Sequence, residues 1–272
     1  MRGMVTLGDV ARAVGGRLTG GGESVVVSDV THDSRQVQAG RLFVAIRGAK
    51  HDAHAFLAEA ERRGAVGVVS ERPRPEGFGG AWVQVEDARR ALALAATEVH
   101  GHPSRELSLV GITGTNGKTT TAYLLAAIAE AAGRRTALLS TVEQRVAGER
   151  VRAEHTTPEA SDVQRFLRRA VTAGCRVAVM ESSSQALDLH RCDALEYAVA
   201  AFTNLTRDHL DYHGTMESYF DAKLRLFDGR LGSRPRASVV NVDDEHGERL
   251  AGMVAGAASR SHASASTLAP ST

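Results

Sequence analysis

The chain has 272 residues, room for two domains of the usual ~100–200 residues each. Apolar residues make up 43% and charged residues 24%, and the formal net charge is +1, a balance that argues against a nucleic-acid or acidic-membrane partner. No apolar run reaches the ~18 residues of a membrane span, and MRGMVTLGDVARAVGGRL lacks a signal-peptide core, so the sequence predicts a cytoplasmic protein with no membrane partner; a monomer is the separate expectation.

The first hundred residues predict a small α/β unit. Thr6–Val14 reads as a helix capped by Thr6 and stopped by Gly15-Gly16, followed by a glycine turn at Gly20–Gly22. Strands are predicted at Val25–Val30, Leu42–Ile46, Ala65–Val69 and Trp82–Val85, with helices at Ala55–Arg63 and Ala88–His100. Gly101-His102-Pro103 marks a boundary. Beyond it the pattern predicts strands at Leu107–Thr113, Arg135–Leu139, Arg176–Met180, Val199–Thr203 and Ser238–Val242, and helices at Lys118–Ala132, Ser161–Ala173 and Met216–Phe227. Such alternation predicts a mostly parallel sheet covered on both faces. The expected organisation is α/β throughout: an N-terminal domain over 1–102, a P-loop-type central domain over 103–254, and a tail over 255–272, Ala/Ser-rich and expected to lack order.

Leu107–Thr113 runs into Gly114-Thr115-Asn116-Gly117-Lys118-Thr119-Thr120 and then a helix. Glycines let backbone N–H groups approach phosphate oxygens, and the helix N-terminus favours an anion. In that order Lys118 can reach the outer phosphates of ATP and the Thr119 hydroxyl can ligate Mg²⁺. Ile112 stands where the common form of this loop has its first glycine. Lysine is scarce: Lys50, Lys118 and Lys223 are the only three among 33 basic residues. A position that keeps lysine against such a background calls for a compact charge that can lose its proton, which arginine cannot do. Cys175 and Cys192 have no metal-ligand spacing and read as two reduced thiols.

A second group of candidates follows the later strands. Arg176–Met180 ends at Glu181, and acidic residues at the C-terminal ends of parallel strands face the ligand crevice, so Glu181 is a candidate Mg²⁺ ligand. Ser182 to Ser184, Gln185, His190 and Arg191 suit a substrate bearing phosphate or carboxylate, although an ordinary polar loop reads the same way. Val199–Thr203 leads into a stretch dense in ionisable groups, Thr206-Arg207-Asp208-His209-Leu210-Asp211-Tyr212-His213, with Lys223 on the next helix.

Taken together, these residues resemble the Mur ligase family. GTNGKTT at 114–120 is similar to that family's phosphate loop. HTTPEA, ESSSQALDLHR and FTNLTRDHLDYHGTMESYFDAK resemble the branch that adds the third amino acid to UDP-N-acetylmuramoyl-L-alanyl-D-glutamate. Asp33-Ser34-Arg35, GRLFVAIRG and HDAHAFLAEAERRGAVGVVSE are similar to the uridine-nucleotide-binding domain of that branch. The sister branch that adds D-alanyl-D-alanine lacks the TRDHLDYHG type of segment, and cyanophycin and folylpolyglutamate synthetases lack the N-terminal domain. Leu189, Ala53 and Ser182 depart from the usual residues of the family.

The resemblance implies roles. Gly114, Thr115, Asn116, Gly117, Lys118, Thr119 and Thr120 hold ATP, and Thr119, Glu181 and His209 ligate Mg²⁺. Lys223 matches a lysine that the family carbamylates with CO₂, which turns a cation into an oxygen ligand for a hard metal. Lys118, Lys223, Glu181 and His209 form the catalytic group. Ser34 meets the uridine part of the UDP-muramoyl dipeptide; Thr156, Thr157, Ser183 and Arg191 hold its peptide end; Lys50 lies in a loop that approaches it, although a solvated surface lysine reads the same way. The implied reaction is ATP-dependent addition of a diamino acid, meso-diaminopimelate or L-lysine, through an acyl phosphate, in peptidoglycan precursor synthesis. The resemblance also implies a third domain, which this chain is expected to lack, and the alternative expectation is a catalytically incompetent fragment that binds nucleotide or UDP precursor.

Overall fold

The computed structural model describes residues 3–48 and 51–265, with side chains as far as residue 256; Lys50 lies outside the described residues. In chain order the elements are α1 (Leu7–Ala13), β1 (Arg17–Thr19), β2 (Asp29–Thr31), β3 (Arg41–Val44), α2 (Leu57–Arg62), β4 (Gly67–Ser70), β5 (Trp82–Gln84) and α3 (Ala88–Val99). They continue with β6 (Ser108–Thr113), α4 (Lys118–Ala131), β7 (Thr136–Leu139), β8 (Glu143–Val146), β9 (Glu149–Arg152), α5 (Ala160–Thr172), β10 (Val177–Glu181) and α6 (Ser184–Asp188). The last are β11 (Val199–Phe202), α7 (Leu210–His213), α8 (Met216–Asp228), β12 (Ala237–Val240) and α9 (Glu245–Ala265). Among the described residues no helix is long and apolar enough to cross a membrane.

The chain forms two compact units. The first comprises residues 1–107 with 158–174 and 189–195, and so includes α5. Its five-stranded sheet has the order β1-β5-β4-β3-β2, parallel except for β1 against β5. α1 starts where expected because Thr6 and Asp9 cap each other: Asp9 N–H donates to Thr6 Oγ1 at 3.2 Å and Thr6 N–H to Asp9 Oδ2 at 2.9 Å. Leu7 and Val10 of α1, and Ala91, Leu92, Ala95 and Ala96 of α3, pack on Val30, Leu42, Val44, Val69 and Val83. The other sheet face buries Phe43, Val68 and Trp82. Helix α5 joins α3 through polar bonds as well: Gln164 Nε2 donates to Thr97 Oγ1 at 2.6 Å. Arg165 Nε and His100 Nε2 both lie 3.1 Å from the carboxylate of Asp29.

The second unit holds a seven-stranded sheet of order β12-β11-β6-β10-β7-β8-β9, in which the first five are parallel and β8–β9 is an antiparallel hairpin. Ile112, Ala122, Ala126, Leu138 and Val179 form a core between α4 and the sheet. The chain passes from β6 over β10 to β7, returns to β10, and crosses to β11 on the other side of β6. That reversal puts a crevice at the C-terminal ends of β10, β6 and β11, where open α/β sheets bind ligands.

Several expectations are corrected. The strand predicted at Val25–Val30 is confined to Asp29–Thr31, because Val25 and Val26 are exposed and only the later residues pair with β3. Strands β1, β8 and β9 were not anticipated; apart from buried Val146 their residues are partly or fully exposed and most are polar, so they carry little apolar alternation. Helix α6 falls in a stretch read as polar loop, and α7 in the stretch dense in ionisable groups, for which no helix was predicted. Helix α9 continues to Ala265, so residues 255–265 of the segment expected to lack order are helical, and residues 266–272 lie outside the described residues.

Candidate functional site

Strand β6 delivers the chain to Gly114, whose φ of +147° and surroundings admit no side chain: a Cβ there would sit 1.9 Å from Thr203 Oγ1 and 3.1 Å from the backbone of Asn204. Gly117, at φ +84°, then turns the chain into α4. Ile112 at the first-glycine position is explained by its place in β6, between Glu181 of β10 and Ala201 of β11 and fully buried. A glycine there would leave a hole in the core.

The loop is tied to the segment after β11. Thr115 N–H donates to Asn204 O at 2.9 Å and Asn116 N–H to Asn204 Oδ1 at 3.0 Å. Thr203 Oγ1 donates to Asn116 O at 2.7 Å. The first helical bond of α4 runs from Thr121 N–H to Gly117 O, so the N–H groups of Lys118, Thr119 and Thr120 have no partner within the helix. This first turn is the anion-binding end of the loop.

Lys118 Nζ donates to Gly114 O and to Thr115 O, both at 2.8 Å. Burial lowers its pKa, while the negative charges of Glu181 and Asp208 pull it back up. Lys223 projects from α8, which Thr215 caps by accepting from Ser218 N–H at 3.1 Å. Its Nζ donates to Gly114 O at 2.9 Å and lies 4.4 Å from the centre of the Tyr219 ring. Lys223 is 1% exposed; burial first, and the charge of Lys118 second, push its pKa well below the ordinary lysine value.

Glu181 is fully buried at the end of β10. Its carboxylate accepts from Thr141 N–H at 2.9 Å and from Thr141 Oγ1 at 3.1 Å. Thr156 Oγ1 lies 3.1 Å from Thr141 Oγ1. Thr157 Oγ1 donates to Glu181 O at 2.7 Å and accepts from Ser183 N–H at 3.2 Å. Ser182, in place of an apolar residue, is buried with its hydroxyl 3.3 Å from that of Tyr197.

His209, at φ +49°, opens α7 and is about half exposed; its Nε2 lies 3.6 Å from Asp208 Oδ2 and its ring 6.0 Å edge-on from Tyr219. His213 Nε2 lies 2.9 Å from Ser184 Oγ, and its ring packs 5.0 Å from Tyr219. Its pKa is lowered, first by burial.

The second unit therefore gathers Lys118, Lys223 and Glu181 around the loop, with His209 reaching the same Tyr219 ring as Lys223. Thr156, Thr157 and Ser183 surround Glu181. Among the described residues no three His, Cys, Asp or Glu side chains come together as a preformed metal cage. Sequence reasoning missed Tyr219, Asp208 and Thr141. Thr141 lies 40 residues from the carboxylate it holds, and no local pattern links them.

The first unit holds the other two candidates. Ser34 is buried at the start of a 3₁₀ turn capped by Asp33, whose carboxylate accepts from Arg35 N–H at 2.9 Å. It lines a cleft of about 590 Å³ with His32, Arg35, His51 and Arg89. Arg191 is engaged by Glu159, Nη2 to Oε1, at 2.6 Å.

Comparison with known proteins agrees with this geometry. Residues 112–271 match the Mur ligase middle domain, and residues 26–100 match the model described as Mur ligase family, catalytic domain. The UDP-N-acetylmuramoyl-L-alanyl-D-glutamate–2,6-diaminopimelate ligase of Geobacter metallireducens is 47% identical over 251 residues, 90% of this chain and 49% of the relative. The UDP-N-acetylmuramyl-tripeptide synthetase of Deinococcus radiodurans is 44% identical over 240 residues, 85% of this chain and 47% of the relative. A solved UDP-N-acetylmuramoyl-L-alanyl-D-glutamate–2,6-diaminopimelate ligase superposes with a TM-score of 0.78 at 26% identity, covering 93% of this chain and 50% of that one. The chain thus spans about half the length of the relatives it matches. With the middle-domain match running through the phosphate loop, Glu181, His209 and Lys223, the chain belongs to the Mur ligase family.

Proposed function

We propose that this chain is the nucleotide- and precursor-binding part of an ATP-dependent ligase that joins a diamino acid to UDP-N-acetylmuramoyl-L-alanyl-D-glutamate in peptidoglycan precursor synthesis. The observation that carries it is the meeting of the α4 N-terminus, Lys118, buried Glu181 and buried Lys223 at the ends of adjacent parallel strands. The names of its relatives, at 47% and 44% identity, supply the substrate, and the first of them favours 2,6-diaminopimelate as the amino acid. Use of ATP and a UDP-linked precursor accords with a cytoplasmic location.

ATP phosphates meet the free N–H groups of Lys118, Thr119 and Thr120. Lys118 exchanges the carbonyls of Gly114 and Thr115 for phosphate oxygens. The donors suit Mg²⁺, which is usually held by one or two carboxylates, the rest of its shell being phosphate oxygens and water, so a preformed cage is not required. Glu181 would supply a carboxylate already held by Thr141, and Thr119, His209 and a carbamylated Lys223 would complete the protein side. When bound, the metal neutralises charge on the transferred phosphoryl group. Lys223 suits carbamylation: its low pKa favours the neutral amine, the form that can attack CO₂.

The D-glutamyl carboxylate attacks the γ-phosphorus, ADP departs, and an acyl phosphate results. The amine of the diamino acid then attacks the acyl carbon and phosphate leaves. Lys118 stabilises the charge that develops on the transferred group. Within the second unit Thr156, Thr157 and Ser183 serve the peptide end of the precursor; within the first, the cleft around Ser34 serves its uridine end, and Arg191 is a further precursor contact.

The test compares melting of the parent and Lys118→Ala with and without Mg-ATP. Without nucleotide the two melt alike; with it only the parent gains stability, by ~2.7 kcal/mol at a hundredfold excess over Kd. Equal gains in both would refute the nucleotide assignment.

A further inference from the structure

The Thr115 hydroxyl is fully engaged by protein. It donates to Thr206 O at 3.2 Å and accepts from Thr206 N–H at 3.0 Å. Its second lone pair faces the Tyr219 hydroxyl at 3.2 Å. A hydroxyl offers one proton and two lone pairs, so with Tyr219 as donor all three positions are filled. The Thr115 N–H goes to Asn204 O at 2.9 Å, and its carbonyl accepts from Lys118 Nζ at 2.8 Å. Thr115 therefore serves the shape of the loop and leaves phosphate contact to the first turn of α4.

Tyr219 is the buried end of this arrangement, with no exposed surface. Its hydroxyl reaches a residue 104 positions upstream in the nucleotide loop. Its ring face lies against Lys223, with Nζ 4.4 Å from the ring centre. Its ring also packs against His213, 5.0 Å away, which Ser184 holds in turn at 2.9 Å. A tyrosine needed only for core volume would be replaceable by phenylalanine; here the hydroxyl and the ring each hold a different part of the site.

We propose that Tyr219 is a positioning residue of the nucleotide site: its hydroxyl fixes the phosphate loop through Thr115 while its ring fixes Lys223, keeping loop and lysine in register. The proposal rests on the reading of residues 114–120 as the nucleotide loop. Without the Tyr219 hydroxyl the loop spends part of its time in shapes that cannot bind phosphate, and apparent affinity falls by the fraction lost.

The experiment titrates a fluorescent ATP analogue, with Mg²⁺, into the full chain as parent, Tyr219→Phe, Thr115→Val and the double variant. The temperature is well below every melting point, and each protein is also melted without nucleotide. Tyr219→Phe weakens binding roughly three- to tenfold, the range expected for one hydrogen bond. The double variant binds no more weakly than Thr115→Val alone, because both changes delete the same bond. Tyr219→Leu, which loses the ring contact as well, binds more weakly than Tyr219→Phe. A purely structural tyrosine would lower the melting temperature and leave affinity in the folded state unchanged. Parental affinity in Tyr219→Phe, or losses that multiply in the double variant, overturns the proposal and leaves the nucleotide reading standing. If Tyr219→Phe does not fold, Thr115→Val must weaken binding by itself or the proposal falls. A parent that does not bind the analogue refutes the nucleotide reading, and this proposal with it.

Discussion

Lys118 and Lys223 donate to one and the same carbonyl oxygen, that of Gly114, at 2.8 and 2.9 Å. Two ammonium groups on one oxygen repel each other, and burial adds to the cost of charging the deeper one. Glu181 and Asp208 offset this at Lys118; at Lys223 Asp208 opposes it without cancelling it. Burial first, and the neighbouring Lys118 second, thus shift Lys223 toward its neutral form.

Replacing Lys223 by methionine is therefore expected to stabilise the fold, by about 1 kcal/mol at neutral pH, because an apolar side chain of similar length removes a buried and poorly compensated amine. The folded-state pKa is depressed, so unfolding takes up a proton and the parent gains stability as pH rises toward the ordinary lysine value of 10.5. The advantage of Lys223→Met shrinks over the same interval. Urea titrations of both proteins at neutral pH and near pH 10 check the sign; an advantage that grows with pH would contradict it.

Gly114→Ala introduces a Cβ 1.9 Å from Thr203 Oγ1 at a φ of +147°. The expected cost is roughly 2–4 kcal/mol, with loss of nucleotide binding. Adding Thr203→Ala removes the worst clash, but Asn204 N and O remain 3.1 Å from the new carbon. The double variant should recover part of the stability and little of the affinity, read by melting and by nucleotide titration.

Thr141→Val deletes one hydroxyl bond to Glu181, leaving the backbone N–H bond at 2.9 Å. A buried carboxylate that loses a donor is less well satisfied and less firmly oriented. Melting curves should show a loss of about 1–2 kcal/mol near neutral pH, and Mg²⁺ dependence of nucleotide binding should shift to higher metal concentration.

Asp29 joins α3, α5 and β2 within the first unit. Burial alone would raise its pKa, but the bond to His100 and the charge of Arg165 outweigh it and hold the carboxyl below its usual 3.8. Its contribution is present above that value and lost as pH falls through the lowered folded pKa. Asp29→Asn should cost roughly 2 kcal/mol at pH 7, at the modest end for a broken buried pair because Arg165 is about a third exposed. Acid titration of stability should show a step in the parent that the variant lacks.

Much of this protein was written locally. Residues 114–120 specify a loop and a helix start within seven consecutive positions, because the glycine conformations, the helix N-terminus and the lysine are set by near neighbours. The Thr6 cap and most buried strands of both sheets were legible for the same reason, whereas Asp9's half of the capping box was not read. The scarcity of lysine singled out Lys118 and Lys223 before any contact was known. Tertiary structure decided what those side chains meet. Thr141 finds Glu181 across 40 residues, Tyr219 finds Thr115 across 104, and Lys223 finds Gly114 across 109. It also assigned α5 to the first unit although its neighbours in sequence belong to the second. The hairpin β8–β9 exists because β7 offers its edge to Gln144, Arg145 and Val146, of which only Val146 has strand character of its own. Periodicity records which face of an element is apolar; it holds no record of which distant element will cover that face. That choice is made only when the chain closes on itself, by packing and by the need to give each buried polar group a partner.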